Sequence, residues 1–369
     1  MNGLSQRTLE NKASFLRLSQ LNAVRLLIVL SISVGVASTM PVGETHREWG
    51  YHWGYDISWF SFQVLFALSG VMAMRSLTAG RTGWTYLKKR AMRTYPLVIL
   101  YTAAVVSVLY PWLCASEART WDALPKLTRY FLETSTLIRP GQPLPGLLDD
   151  ALYMCLLQGT MWTLRWGAIF HIGLVIAWKF GWLQRGYILL TLTGLGILAY
   201  LSLVTYNVKT DMNTLSSILP GLKLGYAFAT GMCLYAYHDK LPQTWQGKTI
   251  IAACLALLAT LFSTFISANE GHWLPGADLF GSLFWIYAAF LALQTRLRFL
   301  QNWPNLILGT YLGIWPITQV FLAIDPQISI PALVLCSCIC AIGVAVFMRG
   351  LWRALSLQSL RREVAINPA

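Results

Sequence analysis

The sequence predicts an all-α, polytopic membrane helix bundle of about ten transmembrane helices, with both termini cytoplasmic. Three observations predict it. Hydrophobic residues make up 56% of the chain and charged residues only 12%, with a mean hydropathy of +0.54; a soluble domain carries about twice that share of charge. Apolar stretches of roughly 20 residues, the length needed to cross a hydrocarbon core, recur to the end. Lys and Arg alternate between successive connections, as the positive-inside rule requires.

The ten stretches are about 23–41, 57–76, 96–114, 162–179, 187–206, 220–237, 249–268, 277–294, 305–323 and 331–349. The first contains LLIVLSISVGVAST, which has the small-residue ending of a secretory signal. Its polar leader is long for a signal, so it reads as a retained helix. With the N-terminus inside, every second exit should be basic. Those exits carry Arg75 to Arg93, Lys179 and Arg185, Lys240 and Lys248, Arg296 and Arg298, and a tail with Arg349, Arg353, Arg361 and Arg362. The opposite loops are short and nearly free of Lys and Arg, or mixed in sign, as in 115–150 with Glu117, Asp122, Glu133, Asp149 and Asp150. The long 115–160 connection, with Trp121, Pro140, Pro143 and Pro145, is expected to lie against the outer face of the bundle. No linker or repeat divides the chain. The domain organisation is a cytoplasmic segment 1–22, a transmembrane domain 23–350 and a cytoplasmic tail 351–369.

The net charge of +13 is explained by cytoplasmic anchoring and excludes a nucleic-acid partner, because no soluble basic domain exists to carry one. The seven cysteines form no CxxC pair. Cys336, Cys338 and Cys340 lie in an apolar run without a nearby His or carboxylate, so they read as small hydrophobes and no metal site is expected. Cys114 and Cys155 fall on the outer side, where pairing is open to them but not fixed by sequence.

YLKKRAMRTYP, 86 to 96, concentrates four cations at the entrance to the third span. Arg90 and Arg93 are three apart, which on a helix puts both guanidinium groups on one face. Such a pair suits forked contacts with phosphate oxygens. The same charges also suit a plain positive-inside anchor.

Several segments in order resemble the acyltransferase 3 family, membrane O-acyltransferases that modify surface glycans, antibiotics and related acceptors. Arg25 opens the first span, as a basic residue does in that family. FQVLFALSGVMAM (62–74) is similar to its second helix, KKRAMRTYP to the basic stretch before its third, and LPGLLDDALYMCLLQGTMWTL (144–164) to a loop leading into a Leu-Trp-Thr-Leu helix. GYAFATGMCLYAYHDKLP (225–242) resembles a later helix with a charged exit, and LGTYLGIWPITQ (308–319) a segment near the family's end. The resemblance covers roughly residues 20–350. It implies an acetyl-CoA or other acyl-CoA donor on the cytoplasmic side, with Arg25, Arg90 and Arg93 on the donor side and the last two at its phosphates. It also implies acyl passage through the bundle to a glycan or lipid-linked saccharide acceptor outside.

The chain departs from the family where the chemistry is expected. Val36 stands at the position of the family's histidine, Gly167 and Ala168 at its acids, and Gln63 at the acid of the second helix. None of these can transfer a proton as general acid–base catalysis requires. His171, one turn beyond Gly167 on the same helix face, is the first substitute; a hydrogen-bonded structural histidine is the plainer reading. His52 and Asp56, with His46 nearby, are expected at the outer mouth, as substitutes or as ordinary solvated polarity. Arg165 either points outward or binds an anion within the bundle.

The function expected is therefore transfer of an acetyl or short acyl group from acyl-CoA to a hydroxyl of an extracytoplasmic glycan, in a bacterial inner membrane. The alternative is a non-catalytic relative acting as a binding, assembly or export subunit beside glycan biosynthesis or export proteins. A secondary transporter is disfavoured, because paired broken helices are not visible and carboxylates are absent from most spans.

Overall fold

A computed structural model describes residues 18–43, 47–80, 82–113, 123–140, 156–210, 218–268 and 275–366. Among them every regular element is helical, and the only β pairing is an isolated bridge between His52 and Tyr55. We number the helices α1 Leu21–Thr39, α2 Ile57–Thr78, α3 Gly83–Ala104, α4 Ala123–Ser135, α5 Trp162–Lys179, α6 Gly186–Thr210, α7 Leu219–Ala236, α8 Trp245–Ala268, α9 Pro275–Gln294, α10 Ile307–Ile324 and α11 Ile330–Ile366. The α3 helix carries on through a π-turn, Val105–Leu109, to Leu113.

Nine described helices are long and apolar enough to cross a membrane. The stretch expected at 220–237 does form a helix, α7, but it is not among the nine. It holds Lys223, Tyr226 and Tyr235 on its buried face. Neighbouring helices rather than lipid meet those groups, so this helix can be less apolar than one facing hydrocarbon. The third span begins earlier than expected, at Gly83, so the basic run lies inside α3 and Pro96 lies within the helix. The α11 helix passes the end of its apolar portion at Leu351 and reaches Ile366.

By internal contacts the chain forms two compact units. The first comprises Met1–Gly35, Arg47–Ala91 and Thr163–Trp303. At its centre α2 and α7 pack with their backbones in contact. A Cβ on Gly70 would overlap the Phe228 carbonyl, and one on Gly231 would overlap the Ala67 carbonyl. Small residues allow this closeness in membrane bundles, where packing drives helix association. Around the contact, Leu68, Leu77, Leu224, Tyr226 and Phe290 are fully buried. Gln20 ties the start of α1 to the end of α9 by donating to the carbonyls of Ala292 and Thr295, each at 2.5 Å. By contrast, only 6% of the apolar window of α8 is buried, which marks α8 as a lipid-facing helix.

The second unit comprises Val36–His46, Met92–Trp162 and Pro304–Ala369. Here Tyr101 donates to the Gly309 carbonyl at 2.8 Å, and Tyr311 donates to the Thr160 carbonyl at 3.0 Å. Thr160 returns a bond to the Tyr311 carbonyl at 3.1 Å. The α4 helix belongs to this unit; its Tyr130 hydroxyl donates to Gln158 Oε1 at 2.9 Å. Cys114, Cys155, His46 and most of the 144–164 segment lie outside the described residues. The described cysteines, Cys233, Cys254, Cys336, Cys338 and Cys340, are free thiols.

Candidate functional site

The first unit carries polar chemistry at both ends. Only four residues separate the end of α2 at Thr78 from the start of α3 at Gly83, so the start of α3 lies at the far end of α2 from Asp56. Arg90 stands two turns into α3 and Arg25 in the second turn of α1. Midway along α5 lies His171, 2% exposed, and neither of its ring nitrogens has a hydrogen-bond partner. Its ring packs against Phe228, with centroids 5.1 Å apart, and against Tyr86 at 5.8 Å. The guanidinium groups of Arg90 and Arg25 are close enough to act on it electrostatically. Arg90 also lies beside the Tyr86 hydroxyl. Three residues singled out from the sequence are thus brought together from three helices.

An imidazole buried without a partner costs about 1–3 kcal/mol. Arg93, one turn beyond Arg90, is exposed, and Arg165 is exposed on α5. Packing does not require the glycine at 167: a Cβ there would meet Phe66 at 3.9 Å, an ordinary contact.

At the other end, the 47–56 segment closes over the start of α2. Indole Nε1 of Trp285 donates to His52 Nε2 at 2.8 Å, which leaves the proton on Nδ1, 2.5 Å from the Gly50 carbonyl. Both ring nitrogens are therefore engaged, and Trp53, Phe60 and Trp285 surround the ring. Asp56 precedes α2 but does not cap it with its side chain. Instead Asp56 Oδ1 accepts from the Glu48 amide at 3.2 Å. Glu48 performs the cap: Oε2 accepts the Ser58 amide at 2.9 Å and Oε1 accepts the Ser58 hydroxyl at 2.5 Å. The two acids have exchanged partners, and the amide in the first turn of α2 is satisfied from the loop.

The Glu48 carboxyl rests against Gly35 of α1, where any Cβ would overlap it. Burial pushes this carboxyl up to about 7; the two Ser58 bonds oppose the rise and the Asp56 charge adds to it. Burial also raises Asp56, opposed by the Glu48 amide, Arg47 and Lys223.

Between this segment and the middle of the unit lies a buried ion pair. Lys223 Nζ stands 2.7 Å from Asp278 Oδ1, with side chains 7% and 0% exposed. The ammonium also faces the Tyr55 ring at 4.5 Å and the Trp59 ring at 4.8 Å. Tyr200 donates to Asp278 Oδ2. Ser282 donates to the Leu279 carbonyl and is 2.9 Å from the Tyr226 hydroxyl, which fixes Tyr226 as donor to Ser282. Gln63 Nε2 reaches Tyr226 at 3.4 Å, while its Oε1 is buried without a partner. Position 63, where the resemblance expects an acid, is therefore part of this network.

Sequence reasoning missed Glu48, Lys223 and Asp278. Lys223 and Asp278 were detectable as lone charges within apolar stretches. Glu48 had no comparable signal, since a loop acid looks solvated until the chain is folded. Among the described residues, no three His, Cys, Asp or Glu side chains are grouped as metal ligands. Compared with protein-family models, with curated proteins and with solved structures, the chain matches none.

Proposed function

We propose that the protein binds an acyl-CoA at the Arg25–Arg90–His171 group and transfers its acetyl or other short acyl group to a saccharide or glycan hydroxyl at the opposite end of the first unit. The observation that carries this reading is the buried His171, whose unpartnered nitrogens lie within the field of two guanidinium groups. Guanidinium forks match phosphate oxygens, and an imidazole can complete such a contact as a hydrogen-bond donor. The ordered resemblance to the acyltransferase 3 family supplies the donor class. The alternation of Lys and Arg between connections puts the donor end in the cytoplasm, where acyl-CoA is found, and the acceptor end outside, in keeping with a bacterial inner membrane.

A second reading is favoured by one set of residues. Val36, Gly167 and Ala168 cannot titrate, and His52 has both ring nitrogens engaged. A non-catalytic member that binds acyl-CoA while serving glycan biosynthesis or export proteins would have such a site. The test is to give the purified protein in nanodiscs labelled acetyl-CoA and octyl glucoside as a hydroxyl probe. The catalytic reading expects acetylated glucoside above the level of empty nanodiscs. Donor binding without acetyl transfer would select the non-catalytic reading.

A further inference from the structure

We propose that Glu48 is the general base of this transfer, taking the proton of the acceptor hydroxyl from its seat between Gly35 of α1 and the first turn of α2. The inference rests on the catalytic reading above and adds the proton-transfer group which that reading lacks. Glu48 is 8% exposed, and its carboxyl is oriented by both the amide and the hydroxyl of Ser58. Gly35 leaves room for it where every other residue would intrude. Position 35 adjoins Val36, where the resemblance expects a histidine, so a loop carboxyl lies beside the position that lacks a titratable group.

The distance along α1 suits the chemistry. From Arg25 to Gly35 is ten residues, about 15 Å of helix. The pantetheine arm of coenzyme A is of similar length, so phosphates held near Arg25 would leave the thioester near Glu48. In the step itself, the carboxylate accepts the acceptor's hydroxyl proton as that oxygen attacks the thioester carbonyl. The new C–O bond forms and the C–S bond breaks. The thiolate leaves with the C–S electron pair and takes the proton back from Glu48, which restores the carboxylate. Alcohol and acyl-CoA become ester and free thiol, with nothing else consumed.

From α1 this carboxyl meets Gly35, from α2 it meets the amide and hydroxyl of Ser58, and the preceding Asp56 acts on it electrostatically. Arg47 and Lys223 of α7 act on Asp56. A base works best when its pKa is near the operating pH, and burial has brought Glu48 to about 7.

The experiment measures acetyl transfer to octyl glucoside across pH for the unmodified chain, Glu48→Gln and Ser58→Ala, with acetyl-CoA binding and melting temperature recorded for each. Gln keeps an oxygen to accept the Ser58 amide, so Glu48→Gln should bind donor normally and lose at least about 10²-fold in transfer. Ser58→Ala removes a bond that favours the carboxylate, so the acid limb of the pH profile, where transfer rises as Glu48 ionises, should move to higher pH. That shift decides the matter if Glu48→Gln melts early. Transfer by Glu48→Gln at the unmodified rate, or a Ser58→Ala profile that does not move, overturns the role of Glu48 and leaves the acyltransferase reading standing. An unmodified chain that binds donor but transfers nothing overturns both.

Discussion

At the end where α1 and α3 begin, His171 keeps two unpartnered nitrogens in the field of Arg25 and Arg90. At the other end, Lys223 and Asp278 direct their polar atoms to each other, to Tyr200 and to two aromatic faces. His171, Lys223 and Asp278 are buried in a bundle where ionisable side chains are costly, while Arg25 and Arg90 are half-buried. The Lys223 and Asp278 charges meet each other within the chain, whereas both His171 nitrogens are without a hydrogen-bond partner. On the proposed reading the first group ties helices together and the second holds a ligand. Glu48 belongs to neither: it is paired enough to stay in place, yet has been brought into the range where it titrates.

The largest expected effect comes from breaking the completed end. Asp278→Asn leaves the Lys223 charge buried without its counter-ion, which typically costs about 3–5 kcal/mol. Replacing the pair together, as Lys223→Met with Asp278→Leu, should recover most of the loss, because an apolar pair removes both desolvation penalties. Thermal melting in detergent reads both variants. A single variant as stable as the unmodified chain would show that Asp278 does not hold Lys223, and would erase the contrast.

A smaller effect separates Glu48 from the ion pair. Its folded pKa, about 7, lies above the 4.5 of a solvent-exposed glutamate. Its contribution to stability is therefore complete below about pH 4.5 and is lost as pH rises through about 7. Melting of the unmodified chain should fall across that window by more than melting of Glu48→Gln, whose amide does not titrate. Parallel curves for the two would mean that the segment over α2 does not sense this carboxyl.

Much of the fold was legible because hydrocarbon imposes a simple pattern: length, apolarity and alternating Lys and Arg located the helices. The fourth span, expected at 162–179, is the Trp162–Lys179 helix. The pattern weakened where the solvent is protein. The α7 helix is polar on the face that touches α2 and α6, so its place at the centre rests on Gly231 and Tyr226 rather than on hydropathy. The candidate site was legible in part. Arg25, Arg90 and His171 stood out as charges or potential charges within apolar stretches, and they do converge. His52 stood out equally, but its indole and carbonyl partners are contacts that sequence spacing cannot disclose. Glu48 was hidden for the opposite reason: only folding places a loop acid against Gly35.

The central proposal is that the Arg25–Arg90–His171 end binds an anionic ligand while the Lys223–Asp278 pair does not. Calorimetric titration of coenzyme A into the purified protein tests it directly. A charge-assisted contact is worth about 1.5–3 kcal/mol, so Arg90→Ala should weaken binding roughly 10- to 150-fold at about 1.4 kcal/mol per tenfold. The paired Lys223→Met, Asp278→Leu variant should bind as the unmodified chain does. No measurable coenzyme A binding by the unmodified chain, or equal weakening in both variants, would contradict the account.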